Sequence, residues 1–167
     1  MTTALFPGTF DPVTYGHLDV VRRASRIFDQ VLIGVAHNPH KKPIFDIAER
    51  LELINELLEG FENVKVTSFE GVTVQFMAEN DINVLIRGIR TFSDFEYEAA
   101  MANANRRLDP RIETVFIMSG TEYSFVSSHM IKELVSFGGN VEAFVPRVVA
   151  RKLREKFLEN NGLEPEK

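Results

Sequence analysis

The chain has 167 residues, about one domain's length, and its 44% hydrophobic and 26% charged residues are the balance of a globular protein. A net charge of −5 argues against a broad polyanion-binding surface, so any anion site must be local. The absence of cysteine excludes disulfides, thiolate metal sites, iron–sulfur clusters and thiol nucleophiles; with no long apolar span and no leader-like start, a soluble intracellular protein without a membrane partner is expected.

Strand and helix patterns alternate along the chain. Thr3–Phe6 reads as a first strand, followed by the loop Pro7-Gly8-Thr9-Phe10-Asp11-Pro12. A helix opens at Thr14-Tyr15-Gly16-His17 and carries Leu18, Val21, Ala24 and Phe28 on one face. Val31–Ala36 is a second strand, leading into His37-Asn38-Pro39-His40-Lys41-Lys42. Asp46 with Glu49 reads as a capping box for a helix whose Ile47, Leu51, Ile54 and Leu58 form an apolar stripe. Val64–Ser68 is a third strand and Val72–Asn80 a short helix. A fourth strand, Val84–Arg87, runs into Arg87-Gly88-Ile89-Arg90, and Ser93 with Glu96 reads as the capping box of a helix over Ser93–Leu108. Thr114–Met118 is a fifth strand. Ser127–Phe137 is a helix stopped by Gly138-Gly139, and Pro146 opens a last helix with Val149, Leu153 and Phe157 on one face. The strand runs are short and rich in β-branched and aromatic residues, as buried parallel strands are. The expected fold is α/β: a single Rossmann-like domain over residues 1–159, with a five-stranded, mostly parallel sheet and helices on both faces. A loose polar tail is expected over 160–167.

Such sheets bind ligands beyond the carboxyl ends of their strands, and the two sets of loops differ accordingly. Those that follow strands carry His17, His37, His40, Lys41, Lys42, Arg87 and Arg90; those that precede strands are mildly acidic. A basic rim on an acidic protein suits a small polyphosphate-like ligand. Thr14-x-Gly16-His17 at a helix start offers amides and an imidazole to an anion, although a plain cap beside a surface histidine uses the same residues. Arg87, at the end of a buried strand, needs a partner. That partner is either a phosphate, which a guanidinium meets bidentately, or Glu96 or Glu98. Lys41-Lys42 lies between Pro39 and Pro43, with one lysine aimed inward or both solvated. Ser127 and Ser128 are helix caps or donors to a phosphate tail, and Glu98 taken alone reads as a solvated carboxylate. His37, His40 and His129 lack metal-ligand spacing, so no protein-built metal site is expected. The P-loop, the dinucleotide fingerprint and the G-x-S-x-G elbow are absent.

Taken in order, the loop Pro7–Pro12, Thr14-x-Gly16-His17, Lys41-Lys42-Pro43, Arg87-Gly88-Ile89-Arg90, Phe95-Glu96-Tyr97-Glu98 and Tyr123–Ser128 resemble the bacterial phosphopantetheine adenylyltransferases. These belong to the nucleotidyltransferase superfamily that shares an H/T-x-G-H motif, and the resemblance runs from about Ala4 to Phe157. It implies transfer of AMP from ATP to 4′-phosphopantetheine, giving dephospho-coenzyme A and pyrophosphate, the penultimate step of coenzyme A synthesis. It further implies Mg²⁺ carried on the ATP phosphates, a cytoplasmic homohexamer, and inhibition by coenzyme A. By the same resemblance His17, Lys41 and Thr9 are catalytic, and Thr9, Lys41, Thr73 and Arg87 contact the phosphopantetheine. The implied ATP contacts are Thr9, Phe10, His17, Gly88, Ile89, Arg90 and Glu98, with the run Tyr123, Ser124, Phe125, Val126, Ser127, Ser128 and His129. The sequence departs from the pattern twice: His129 stands where a third serine is common, and Tyr123 where tryptophan is frequent. The alternatives are adenylyl transfer to nicotinamide mononucleotide, a CTP-dependent relative acting on a small alcohol phosphate, and a non-catalytic ATP-binding regulator. A tRNA synthetase fragment would share the histidine motif, but the chain has no basic tRNA surface, and no nucleic-acid partner is implied.

Overall fold

The computed structural model describes residues 1–37 and 42–161, so Lys41, His40 and the tail from 162 to 167 lie outside the described residues. Five strands, β1 (Thr3–Gly8), β2 (Gln30–His37), β3 (Val64–Glu70), β4 (Val84–Ile89) and β5 (Glu113–Met118), form one sheet in the order β3-β2-β1-β4-β5. Every pairing is parallel. The helices among the described residues are α1 (Tyr15–Ala24), α2 (Ile47–Leu57), α3 (Thr73–Glu79), α4 (Phe92–Leu108), α5 (Ser128–Ser136) and α6 (Arg147–Asn160). The strand order turns back between β1 and β4, and such a switch point leaves a crevice at the strands' carboxyl ends.

Alternation along each strand sorts the side chains between two faces. Ala4 and Phe6 of β1, Val31, Ile33 and Val35 of β2, and Ile86 of β4 join α1, α2, α5 and α6 in the main core. Leu5, Leu32 and Leu85 point the other way, into a smaller cluster with Val74 and Met77 of α3. Gly34 makes room on this second face: a Cβ there would stand 2.9 Å from the Phe69 ring and 3.0 Å from Leu5. The Phe69 ring stacks on Phe76 of α3 at 4.7 Å. α4 also covers the second face, yet none of its residues is buried. Its Phe95 meets Phe116 of β5 edge-on, with ring centroids 5.5 Å apart. Local terms hold it helical: a capped start, and Arg106 and Arg107 against the negative end of the helix dipole.

The structure moves several sequence-read details. β1 and β4 extend to Gly8 and Ile89, so Gly88 and Ile89 belong to a strand and not to a loop, while Arg87 lies near the strand's end as read. The capping box of α4 is Thr91 with Asp94, not Ser93 with Glu96. Thr91 is the extended residue whose hydroxyl accepts the Asp94 N–H at 3.2 Å, and the helix has begun before Ser93 is reached. The box at Asp46 and Glu49 is as read. α1 ends at Ala24, which leaves Phe28 beyond it, and Val20 joins Val21 and Ala24 in the core. In α2 the stripe faces the core as read, with Ile54 and Leu58 buried and Ile47 and Leu51 packed against them, and Arg50 and Leu53 are buried beside it. The last helix buries Val149 and Leu153 as read.

Candidate active site

At the switch point the Gly8–Thr14 segment turns sharply. Phe10 sits in the left-handed region at φ 48°, a conformation that disfavours side-chain-bearing residues. Gly8 permits the turn, because a Cβ there would stand 3.0 Å from the Phe10 ring. That ring is buried and lies edge-on to Phe6 at 5.5 Å and to the His17 imidazole at 5.0 Å. Phe10 thus serves as a platform under His17.

Thr14 caps α1, and His17 takes the place that Glu or Gln holds in an ordinary capping box. The Thr14 N–H donates to His17 Nδ1 at 3.0 Å. A nitrogen that accepts an amide hydrogen carries no proton, so the neutral ring holds its proton on Nε2. Burial, and to a lesser degree the Arg90 cation, lower the His17 pKa from 6.5 to about 4. His17 is therefore a neutral donor near pH 7, with Nδ1 anchored to the backbone and its Nε2–H without a partner among the described residues.

A cavity of about 440 Å³ opens above these residues. Thr9, Phe10, His17, Thr73, Arg87, Gly88, Arg90, Glu98, Val126, Ser127 and Ser128 line it. The N-termini of α1 and α5 both meet it, and helix starts favour anions. Arg90 is held by Asp94, with Nε 3.1 Å from Oδ2, and by the Val126 carbonyl at 3.0 Å. Arg87 has the carboxylate partner that sequence left open. Its Nε donates to Glu98 at 2.7 Å and Nη1 to the Pro7 carbonyl at 3.2 Å, while Nη2 meets the other Glu98 oxygen. Glu98 is accordingly not a solvated carboxylate; its side chain is 12% exposed. The Arg87 guanidinium has five N–H groups, so its three bonds among the described residues leave two for an anion.

Ile89, Tyr123, Ser124, Phe125 and His129, also singled out in the sequence, do not line this cavity. The Ile89 side chain is buried in the protein, His129 is exposed, and Phe125 is mostly exposed with its ring edge-on to Phe144. Tyr123 and Ser124 belong to a short 3-10 turn that packs beside Tyr15. The Ser127 hydroxyl caps α5, accepting the Met130 N–H at 3.1 Å, and Ser128 donates to the Pro12 carbonyl at 2.9 Å. Among the described residues no three His, Asp or Glu side chains converge to hold a metal ion.

Sequence reasoning missed the supports of this rim. Arg50 of α2 is buried and donates from Nη1 to the Thr9 carbonyl at 2.9 Å. Asp19 of α1 accepts the Gly120 N–H at 3.0 Å, which anchors the loop after β5. Both were hidden inside helical patterns, where a charge reads as solvent-facing. The lone signal was Arg50 falling on the apolar side of α2.

A second cavity of about 310 Å³ lies on the other face of the sheet, between α3 and α4. It shares Pro7, Thr73, Arg87 and Glu98 with the first and extends along Tyr97, Met101 and Asn105. The Arg87–Glu98 pair is the partition between the two.

The family model described as cytidylyltransferase-like matches residues 5–134. A phosphopantetheine adenylyltransferase from Clostridium novyi (strain NT) is 49% identical over 156 residues, 93% of this chain and 97% of that protein. Its namesake from Carboxydothermus hydrogenoformans is 46% identical over 157 residues, 94% of this chain and 97% of the relative. A solved structure of a candidate nicotinate-nucleotide adenylyltransferase from Vibrio parahaemolyticus superposes with a TM-score of 0.71 at 18% identity, covering 95% of each chain, a likeness of fold. With matches of this extent, the chain belongs to the phosphopantetheine adenylyltransferase family within the cytidylyltransferase-like nucleotidyltransferases.

Proposed function

We propose that this protein transfers the adenylyl group of ATP to 4′-phosphopantetheine, with the triphosphate in the first cavity and the pantetheine arm in the second. The observation that carries this reading is the junction at Arg87. A polar, anion-favouring pocket and a second cavity lined by Tyr97, Met101 and Asn105 share one wall there. A ligand with a phosphate at one end and an amide-rich, partly apolar arm fits that shape. The two N–H groups that Arg87 has left would meet its phosphate, and Thr73 borders both cavities.

The acceptor phosphate has a second pKa of about 6 and is mostly dianionic at pH 7. Its oxygen attacks the α-phosphorus of ATP in line, and the bond from that phosphorus to the bridging oxygen of the β-phosphate breaks. Pyrophosphate leaves with the electron pair, so no general base is needed. Catalysis then rests on position and charge stabilisation. His17 Nε2–H donates to a non-bridging oxygen of the α-phosphate as negative charge builds there. Thr9 and the inward-facing amides add donors, Arg90 and the backbone N–H of Ser128 at the start of α5 hold the β- and γ-phosphates, and Lys41 neutralises the attacking phosphate. Mg²⁺ would arrive on the triphosphate and supply further charge neutralisation. The carboxylates nearest the pocket, Glu98 and Asp94, are already engaged by Arg87 and Arg90.

The exposed apolar side of α4 with Phe116 and Met118 of β5 supports assembly into an oligomer, which we read as the homohexamer. Coenzyme A carries the same arm and competes for the same groove. No helix among the described residues is long and apolar enough to cross a membrane; the cytoplasmic location is read from the family resemblance. The test is pyrophosphate release from ATP and Mg²⁺ with 4′-phosphopantetheine, with nicotinamide mononucleotide in parallel. Release with 4′-phosphopantetheine alone, with dephospho-coenzyme A formed, is the expected result. Release with the nicotinamide substrate alone overturns the acceptor, and ATP binding with no release in either case overturns the enzyme.

A further inference from the structure

We propose that Asp11 and Lys132 are a positioning pair that holds two walls of the phosphate pocket, the turn after β1 and the start of α5, in register with the segment that leads into α2, a role that rests on the adenylyl-transfer reading of that pocket. The Asp11 side chain is 1% exposed, and it does not itself line the cavity. Its carboxylate accepts the Ile44 N–H at 3.1 Å and the Phe45 N–H at 3.0 Å, and it pairs with Lys132 Nζ. These partners come from separate parts of the chain. Asp11 belongs to the turn that presents Thr9 and Phe10. Ile44 and Phe45 follow Lys42-Pro43 and lead into the Asp46 cap of α2. Lys132 stands one turn inside α5, whose start brings Ser127 and Ser128 to the cavity.

Asp11 is buried while the Lys132 side chain is 32% exposed, and an ion pair with a buried partner gives little stability over well-packed apolar groups of the same size. What it adds here is direction. The carboxylate oxygens hold the donors of two segments to one point, where an apolar contact would allow them to slide. The neighbouring bonds act the same way: Ser128 to the Pro12 carbonyl at 2.9 Å, and Arg50 to the Thr9 carbonyl at 2.9 Å. Asp11 is two residues from Thr9 and one from the ring under His17. A shift of this turn would therefore move a phosphate donor and the His17 platform together. Misplacement of reacting groups by ~1 Å is worth about 10²-fold in rate.

The test uses the full chain with ATP, Mg²⁺ and 4′-phosphopantetheine, comparing wild type, Lys132→Met, and the double variant Asp11→Asn with Lys132→Met, which leaves no unpaired buried charge. Both variants are expected to lose about 10²-fold in kcat while the KM for ATP stays within about threefold, and the double variant is no worse than Lys132→Met because the pair acts as a unit. Folded variants that turn over within twofold of wild type overturn the proposal, as does a KM for ATP that rises in step with the fall in kcat. Hydrogen exchange on the wild type gives a readout independent of turnover and of the variants' folding. The Ile44 and Phe45 amides are expected to be protected, and exchange at the rate of unstructured chain overturns the clamp. A wild-type protein that makes no pyrophosphate faults the adenylyl-transfer reading instead, with the exchange result still deciding whether the clamp exists.

Discussion

On one face of the sheet, α5 and α6 bury Ile131, Val149 and Leu153 completely; on the other, α4 runs for 17 residues and buries none. The first face is finished by the chain itself. It carries His17 on a helix packed against a full core, which suits a donor whose position must not drift. The second face is closed only in part, by α3 and one side of α4, and it keeps a groove along Tyr97, Met101 and Asn105. The two meet where the strand order reverses, at Arg87. On the proposed reading, the face packed by its own chain is the one that holds the reacting phosphates, and the partly open face is the one that takes the substrate arm and neighbouring copies.

The largest effect should come from His17. In His17→Ala, turnover is expected to fall about 10³-fold, the size of losing one transition-state donor, while the Kd for ATP moves less than about threefold. Equal losses in both would make His17 a binding residue only. On the same face, Leu153→Ala is expected to lose about 2–5 kcal/mol in denaturant unfolding, the range for a buried leucine cavity. Met101→Ala on α4 should change stability by less than about 0.5 kcal/mol. Comparable losses at the two positions would break the contrast between the faces.

Acid titration probes His17 again. Its folded pKa of about 4 lies below the ordinary 6.5, so the unfolded chain takes up this proton first. Stability is intact above about pH 6.5 and is lost as pH falls toward 4, by an upper bound of about 3 kcal/mol for this one group. His17→Gln should remove that share of the acid dependence; an unchanged profile would show that His17 is not held neutral by its surroundings. A smaller effect is expected at the open face. Phe92→Ser with Phe95→Ser should shift the sedimentation profile to smaller species with the helical signal retained, and an unchanged profile would place the assembly surface elsewhere.

The fold was legible because its strands are short apolar runs between amphipathic helices, a pattern that leaves little choice but a parallel sheet. The rim was legible too, since Thr14-Tyr15-Gly16-His17 opens the helix after β1 and Arg87–Arg90 spans the carboxyl end of β4. The pairing of charges was not. Arg87 offered a phosphate or a glutamate, and only the packing of α4 over β4 brings Glu98 to it. Asp11 reads in sequence as a turn residue, because its partners Ile44, Phe45 and Lys132 are at least 33 positions away. The α4 capping box failed by two residues, because Asp94 can do what sequence rules reserve for Glu or Gln.

The claim that both faces serve one reaction is tested most directly by the substrate dependence of Tyr97→Ala with Met101→Ala. The account predicts a KM for 4′-phosphopantetheine raised at least ~10-fold, since each buried aliphatic or aromatic contact is worth roughly 1 kcal/mol or more, with the KM for ATP within about twofold of wild type. A rise in the KM for ATP, or no change in either, would contradict it.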